Sequence, residues 1–220
     1  MYIKSSISNL DYTLYLCVGT EYLQERSFKQ CITDAILGGV TMIQIREKEK
    51  NTKDFLDIAI KTKEIADQFN IPIIINDRID IALAVDASGV HLGQNDMPCK
   101  IARKILGNDK IIGISVTTLE EAIQAQLDGA DYIGVGAMYK SITKKDAKVV
   151  SNDEFIKIQM NCSLPIVVIG GINEKTIPNF RDSRVDGYAM IRPILGQDNI
   201  LNSSVKLKKL ILCNRGIYES

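Results

Sequence analysis

Eight short β-branched runs recur along the chain, spaced so that one helix fits between each pair, and this rhythm restricts the fold more than any other feature. The runs are Thr13–Val18, Thr41–Arg46, Ile73–Asn76, Gly89–Leu92, Ile111–Ser115, Tyr132–Val135, Ile166–Ile169 and Gly187–Ile191. Several are apolar without a break, as in Ile71-Pro72-Ile73-Ile74-Ile75 and Ile166-Val167-Val168-Ile169, which is how strands covered on both faces read. Between them stand helix signals. Ser27-x-x-Gln30, Thr118-x-x-Glu121 and Ser151-x-x-Glu154 have capping-box spacing, and Gly38-Gly39 and Gly129 sit where C-caps are expected. In the longest helix Phe55, Ala59, Thr62, Ala66 and Phe69 share a stripe. The third unit leaves only Ile79–Val85 for its helix, and the basic amphipathic stretch Lys206-Leu207-Lys208-Lys209-Leu210-Ile211-Leu212 is expected to be the eighth.

Eight strand–helix alternations in 220 residues, without a break in composition, predict one (β/α)8 barrel domain spanning residues 1–220. A doubly wound open sheet is the alternative, but it has fewer strands and a Gly-rich first turn. No Gly-x-Gly-x-x-Gly opens the first helix here.

Composition narrows the function. Lys and Arg number 27 and Asp and Glu 27, so a diffuse basic field for nucleic acid is absent. No apolar run approaches the roughly 20 residues needed to cross a bilayer, and Met1-Tyr2-Ile3-Lys4-Ser5-Ser6 lacks a signal-peptide core. Five scattered Cys and one His give too few ligands for a structural zinc site. The Cys fit small core residues of a cytoplasmic protein. The expected partners are small molecules, with no nucleic acid and no membrane; the sequence sets no oligomeric state.

In such a barrel the chemistry sits where strands hand over to helices. Strand two ends in Gln44-Ile45-Arg46-Glu47-Lys48. Strand alternation places Gln44, Arg46 and, if the extended path continues, Lys48 on one side, a set suited to a polyanion such as diphosphate. A solvated charge run is the bland alternative. Strand three ends in Asn76-Asp77-Arg78, and strand four runs into Gly93-Gln94-Asn95-Asp96-Met97-Pro98. Asp77 and Asp96 are each readable as helix N-caps, Asp96 especially because of Pro98. Together they suit Mg2+, which takes one or two carboxylates plus substrate phosphates. His91 reads as a packed, hydrogen-bonded strand residue.

Strand five offers the Ser115 hydroxyl. The long loop after strand six, Gly136 to Lys148, carries Ser141, Thr143 and four lysines including Lys144, as an anion-seeking lid would. Strand seven ends in Gly170-Gly171-Ile172-Asn173 and strand eight in Met190-Ile191-Arg192-Pro193, the usual phosphate position of this fold. Backbone N–H groups at Gly171 suit a phosphate. Two anion sites result: a diphosphate site of Arg46, Lys48, Lys144 and a metal on Asp77 and Asp96, and a monophosphate site of Gly171 and Arg192. No nucleophile triad is evident. A reaction that expels diphosphate fits, because cations stabilise charge developing on the leaving group.

These motifs together resemble the thiamine phosphate synthase family. The resemblance rests on Gln44-Ile45-Arg46-Glu47-Lys48, Ile75-Asn76-Asp77-Arg78, Gly89-Val90-His91-Leu92-Gly93-Gln94-Asn95-Asp96, Gly129-Ala130-Asp131-Tyr132-Ile133-Gly134-Val135-Gly136, Thr143-Lys144-Lys145-Asp146-Ala147 and Ile169-Gly170-Gly171-Ile172, and spans about Thr13 to Ile194. It implies a (β/α)8 transferase that joins 4-amino-5-hydroxymethyl-2-methylpyrimidine diphosphate to 4-methyl-5-(2-phosphoethyl)thiazole. Mg2+ assists departure of diphosphate, and the thiazole nitrogen captures the pyrimidine cation. By the same resemblance Asp77 and Asp96 are the Mg2+ ligands. Gln44, Arg46, Lys48, Asn76, Ser115 and Lys144 contact the pyrimidine diphosphate, with Arg46, Ser115 and Lys144 as the catalytic groups. Ser141, Thr143 and Gly171 receive the thiazole phosphate, with Ile191 and Arg192 beside them. Two positions depart from the family: its Pro-Thr in the lid is Lys140-Ser141 here, and its Ile-Ser after strand eight is Ile191-Arg192.

Two rivals are weaker. The related thiazole tautomerase generally lacks the metal aspartates and carries a His after strand five, where this chain has Thr117. A barrel that only binds a phosphorylated metabolite has no need of a metal at a leaving group.

Overall fold

Each β-branched run becomes a strand, and the strands close on one another. The computed structural model describes residues 10–23, 25–140 and 148–217. Its strands are β1 (Leu14–Val18), β2 (Met42–Ile45), β3 (Ile73–Asn76), β4 (Gly89–Leu92), β5 (Ile111–Val116), β6 (Tyr132–Val135), β7 (Ile166–Val168) and β8 (Gly187–Met190). They form a closed parallel barrel in chain order, with β8 returning to β1 through Leu14↔Tyr188 and Leu16↔Met190. Among the described residues no helix is long and apolar enough to cross a membrane.

The outer layer comprises α1 (Phe28–Leu37), α2 (Thr52–Asp67), α3 (Ile79–Ala84), α4 (Cys99–Leu106), α5 (Leu119–Leu127), α6 (Asn152–Asn161), α7 (Arg192–Leu195) and α8 (Ile200–Asn214). Of the three capping-box spacings, only Thr118 and Glu121 make both reciprocal bonds. Ser27 and Ser151 each accept the N–H three residues on. Their Gln30 and Glu154 partners are used elsewhere: Gln30 Nε2 donates to Asp34, and Glu154 Oε1 accepts the Leu119 N–H at 2.7 Å, joining α6 to α5.

Two expectations need correcting. The β7–β8 crossover holds no α-helix but a 3-10 turn, Ile177–Phe180. The chain leaves β7 through Gly170 and Gly171 at φ 88° and 69°. It then folds on itself, with the Asn173 N–H donating to the Thr176 hydroxyl, and Pro178 limits what can follow. Phe69 lies beyond α2, which ends at Asp67; it still packs, partly buried, against the core, and Ile65 joins the buried face of the helix.

Strand residues divide into two sets by alternation. Leu14, Leu16, Val18, Ile43 and Ile45 face outward into the shell beneath the helices. Tyr15, Cys17, Met42, Ile74, Tyr132, Val167 and Ala189 fill the barrel. The large interior rings fit because glycines stand beside them. A Cβ on Gly113 would lie 2.1 Å from Tyr132 Cζ, and one on Gly134 would lie 2.9 Å from His91 Cε1. Strand glycines of this kind mark a close approach.

Gly113→Ala is therefore expected to destabilise the barrel by about 1–3 kcal/mol, the usual cost of overpacking. Urea denaturation measures it, and an unchanged midpoint would show that the Tyr132 ring has room to move.

Candidate active site

A cavity of about 490 Å³ opens at the C-terminal mouth of the barrel. Of the residues singled out in the sequence, Gln44, Arg46, Asn76, Ser115, Gly171, Ile191 and Arg192 line it. Lys48, Asp77 and Asp96 are not in its wall, but Asp77 directly follows the wall residue Asn76, and Lys48 and Asp96 are close enough to act on Asp77. Ser141, Thr143 and Lys144 lie outside the described residues, but Lys140 and Lys148, which flank that segment, both line the cavity.

The end of β2 shows how alternation assigns neighbouring charges. The Arg46 N–H donates to Val18 O at 2.9 Å, which carries the extended path one residue past the strand. Gln44 and Arg46 thus face the cavity, while Glu47 turns the other way and is buried. Its carboxylate accepts the Thr20 N–H at 2.8 Å and the Thr20 hydroxyl at 3.1 Å, fixing the loop after β1. Burial pushes the Glu47 carboxyl above its usual range, and these two bonds oppose the rise. Lys48 is exposed, since strand geometry has ended by then.

Neither aspartate caps a helix. The cap of α3 is Arg78 and that of α4 is Pro98, and neither makes a side-chain cap bond. Asp77 instead sits at φ 62°, inside a three-residue turn closed by the Arg78 N–H on Asn76 O at 2.7 Å. A non-glycine residue there is strained by about 1–3 kcal/mol. The Asp77 N–H donates to His91 O at 2.9 Å, which locks the turn to β4. Asp96 closes its own turn by accepting the Gly93 N–H at 2.7 Å. The two carboxyl groups lie within hydrogen-bonding reach of each other, and Arg46 and Lys48 are close enough to act on Asp77. Burial, then the hydrogen bond and charge of Asp96, push Asp77 up to about 6; Lys48 and Arg46 pull against them. Two hard carboxylates pressed together in partial burial are a donor set for a divalent cation, which removes their repulsion. Among the described residues no group of three or more His, Cys, Asp or Glu is placed to hold a metal.

The loop after β7 is built by close packing. A Cβ on Gly171 would lie 2.6 Å from Tyr139 Cβ, and the Tyr139 N–H donates to Gly170 O at 3.0 Å. The loops after β6 and β7 are therefore packed together as one wall of the cavity. Arg192 lies at the first turn of α7, exposed and on the cavity rim.

The floor of the cavity is not marked as such by any of the sequence motifs. Tyr15, Tyr132 and His91 line it, and all three are buried. Gln44 Nε2 donates to Tyr15 Oη at 3.0 Å; Tyr15 and Tyr132 share a 2.8 Å bond; His91 bridges Tyr132 Oη and Ser115 Oγ, each at 2.9 Å. Burial drives both phenols well above their ordinary range, so both keep their protons. His91 is the packed, hydrogen-bonded residue expected, yet it also touches the cavity. Signals for this floor were present: Tyr15 interrupts an apolar strand, and Gly113 and Gly134 empty the space beside large rings.

In protein freed of divalent cations, Asp77 holds its proton to about 6 in the fold, against an ordinary 3.8. The folded state then binds more protons than the unfolded chain between those values. Its stability is full below the lower one and declines as pH rises through the upper. Asp77→Asn is expected to flatten that decline, read as urea midpoints at about pH 4 and about pH 7. An equal decline in both proteins would acquit Asp77.

The family model for thiamine monophosphate synthase matches residues 14–194. The thiamine-phosphate synthase of Clostridium beijerinckii is 48% identical over 199 residues, covering 90% of this chain and 95% of that protein. That of Ruminiclostridium cellulolyticum is 46% identical over 205 residues, covering 93% and 98%. Among solved structures, the thiamine phosphate pyrophosphorylase from Pyrococcus furiosus superposes with a TM-score of 0.85 at 33% identity, covering 94% of this chain and 98% of that one.

Proposed function

Since this chain belongs to the thiamine monophosphate synthase family, we propose that it joins 4-amino-5-hydroxymethyl-2-methylpyrimidine diphosphate to 4-methyl-5-(2-phosphoethyl)thiazole, releasing diphosphate and forming thiamine phosphate. The observation that carries this reading is the gathering at one mouth of Gln44, Arg46, Asn76, Ser115, Gly171 and Arg192, with the Asp77–Asp96 pair at its edge.

In the proposed reaction the bond between the pyrimidine methylene carbon and the diphosphate oxygen breaks, and its electron pair leaves with the diphosphate. The thiazole nitrogen then supplies the pair for the new carbon–nitrogen bond. Arg46 and Lys48, with Lys144 from the segment after β6, would hold the diphosphate and stabilise its growing charge. Asp77 and Asp96 would hold Mg2+, which supplies further charge neutralisation on the leaving group. Gln44, Asn76 and Ser115 would orient the pyrimidine. Gly171 would take the thiazole phosphate with Ser141 and Thr143, next to Ile191. Arg192, in place of the family's Ser, would add a guanidinium to that phosphate.

A tautomerase reading is disfavoured at Thr117. Its hydroxyl and N–H both donate to Glu121, at 3.0 and 2.6 Å, so this residue serves the start of α5 and offers no base.

Purified protein given both precursors and Mg2+ is expected to form thiamine phosphate, detected by mass. Chelation should stop it, and Arg46→Ala should lower turnover by about 10²–10³ with the fold intact. Folded protein that forms no product under these conditions would sink the proposal.

A further inference from the structure

The bonds across the cavity floor have a direction, and it follows from counting protons. Gln44 Nε2 donates to Tyr15 Oη. Tyr15 is buried beneath the cavity it lines, and the remaining protein neighbour within bonding distance of its hydroxyl is Tyr132 Oη, 2.8 Å away. A buried O–H left without an acceptor is costly, so the Tyr15 proton goes to Tyr132. Tyr132 is enclosed as well and must pass its own proton on, to His91 Nδ1 at 2.9 Å. That nitrogen is then an acceptor, and a neutral imidazole with an acceptor at Nδ1 carries its proton on Nε2. Nε2 lies 2.9 Å from Ser115 Oγ and donates to it. The Ser115 oxygen is thereby occupied, and its proton is free to point into the cavity that Ser115 lines.

We propose that Tyr15, Tyr132 and His91 form a one-way hydrogen-bond relay that fixes the polarity of two substrate contacts, turning the Gln44 carbonyl and the Ser115 hydroxyl proton toward the cavity. The three are positioning residues: they act through Gln44 and Ser115. The relay sets an acceptor on β2 against a donor on β5, three strands further around the closed barrel. A planar heteroaromatic ring with an amine at one end and a ring nitrogen at the opposite end matches that pair. A 4-aminopyrimidine is such a ring, its amine lying across from N1. An oxo group at the same ring position would present an acceptor to the Gln44 carbonyl and be rejected. This matching to the ring rests on the function proposed above, whereas the relay's direction rests on the protein alone.

The chain has one histidine, so ¹⁵N-histidine labelling of the full chain gives one pair of ring-nitrogen signals. At about pH 8, where an ordinary imidazole is neutral, Nε2 is expected to carry the proton and Nδ1 to show the signature of a bare nitrogen. A proton on Nδ1, or on both nitrogens, would overturn the relay. Tyr132→Phe removes the donor to Nδ1. It should shift the ring signals toward a mixture of tautomers and raise KM for the pyrimidine diphosphate about three- to tenfold, the weight of one hydrogen bond, leaving KM for the thiazole phosphate unchanged. An equal rise in both constants, or none, would overturn the recognition role. Should Tyr132→Phe fail to fold, Tyr15→Phe cuts the chain one link earlier and is held to the same split. A wild-type protein that makes no product would refute the proposed function, while the nitrogen signals would still decide the relay.

Discussion

Two phenols buried at the centre of an eight-stranded barrel have few places to put their polar atoms, and here Tyr15 and Tyr132 put them on each other, 2.8 Å apart. Leaving either unpaired would cost about 1–3 kcal/mol. That requirement reaches outward. Tyr132 needs the space that Gly113 leaves, and His91 needs the space beside Gly134. Gln44 and Ser115 close the two ends of the chain of bonds. The floor of the cavity is thus a packing solution and a polar solution at once. Because interior side chains pack nearly as densely as a crystal, a change to one of these positions is transmitted to the others.

Periodicity makes most of the architecture readable in the sequence. The run Ile73–Asn76 is β3 without adjustment, and Gly89–Leu92 is β4. Strand ends at a barrel's C-terminal face are determined by the same period, so Gln44, Arg46, Asn76 and Ser115 could be placed around one mouth from sequence. Two kinds of feature escaped. The partnership of Tyr15 with Tyr132 joins residues 117 apart in the chain, and no local pattern encodes a contact that exists only after closure. The extended path on which Lys48 would share the side of Gln44 and Arg46 ends near Arg46, and Lys48 is exposed. The missing helix between β7 and β8 had a local cause instead, in the positive φ angles at Gly170 and Gly171.

The carboxylates illustrate a different limit. From sequence, Asp77 and Asp96 read equally well as caps or as a pair, because both uses favour the same residue type at a helix start. Geometry separates the two uses. Asp77 occupies a left-handed turn one residue ahead of the cap of α3, and Asp96 bonds back to Gly93 instead of forward to α4. A strained turn and two crowded like charges both lower stability, and both are found at the mouth of the cavity. Strain of this kind persists where the surrounding bonds over-determine it; here the Asp77 N–H is held by β4.

The alternation at the end of β2 carries a consequence for how this sequence can drift. Arg46 faces the cavity and Glu47 anchors Thr20, and the two are adjacent. Deleting one residue between the barrel's inner layer and this point would rotate the chain by half a pleat. A carboxylate would then arrive where a guanidinium stood, and the loop after β1 would lose its tether in the same event. The overall charge count would barely change, yet the local field would reverse sign. Point substitutions can wander through this segment one side chain at a time; a change in its length cannot, since a single step inverts every assignment together.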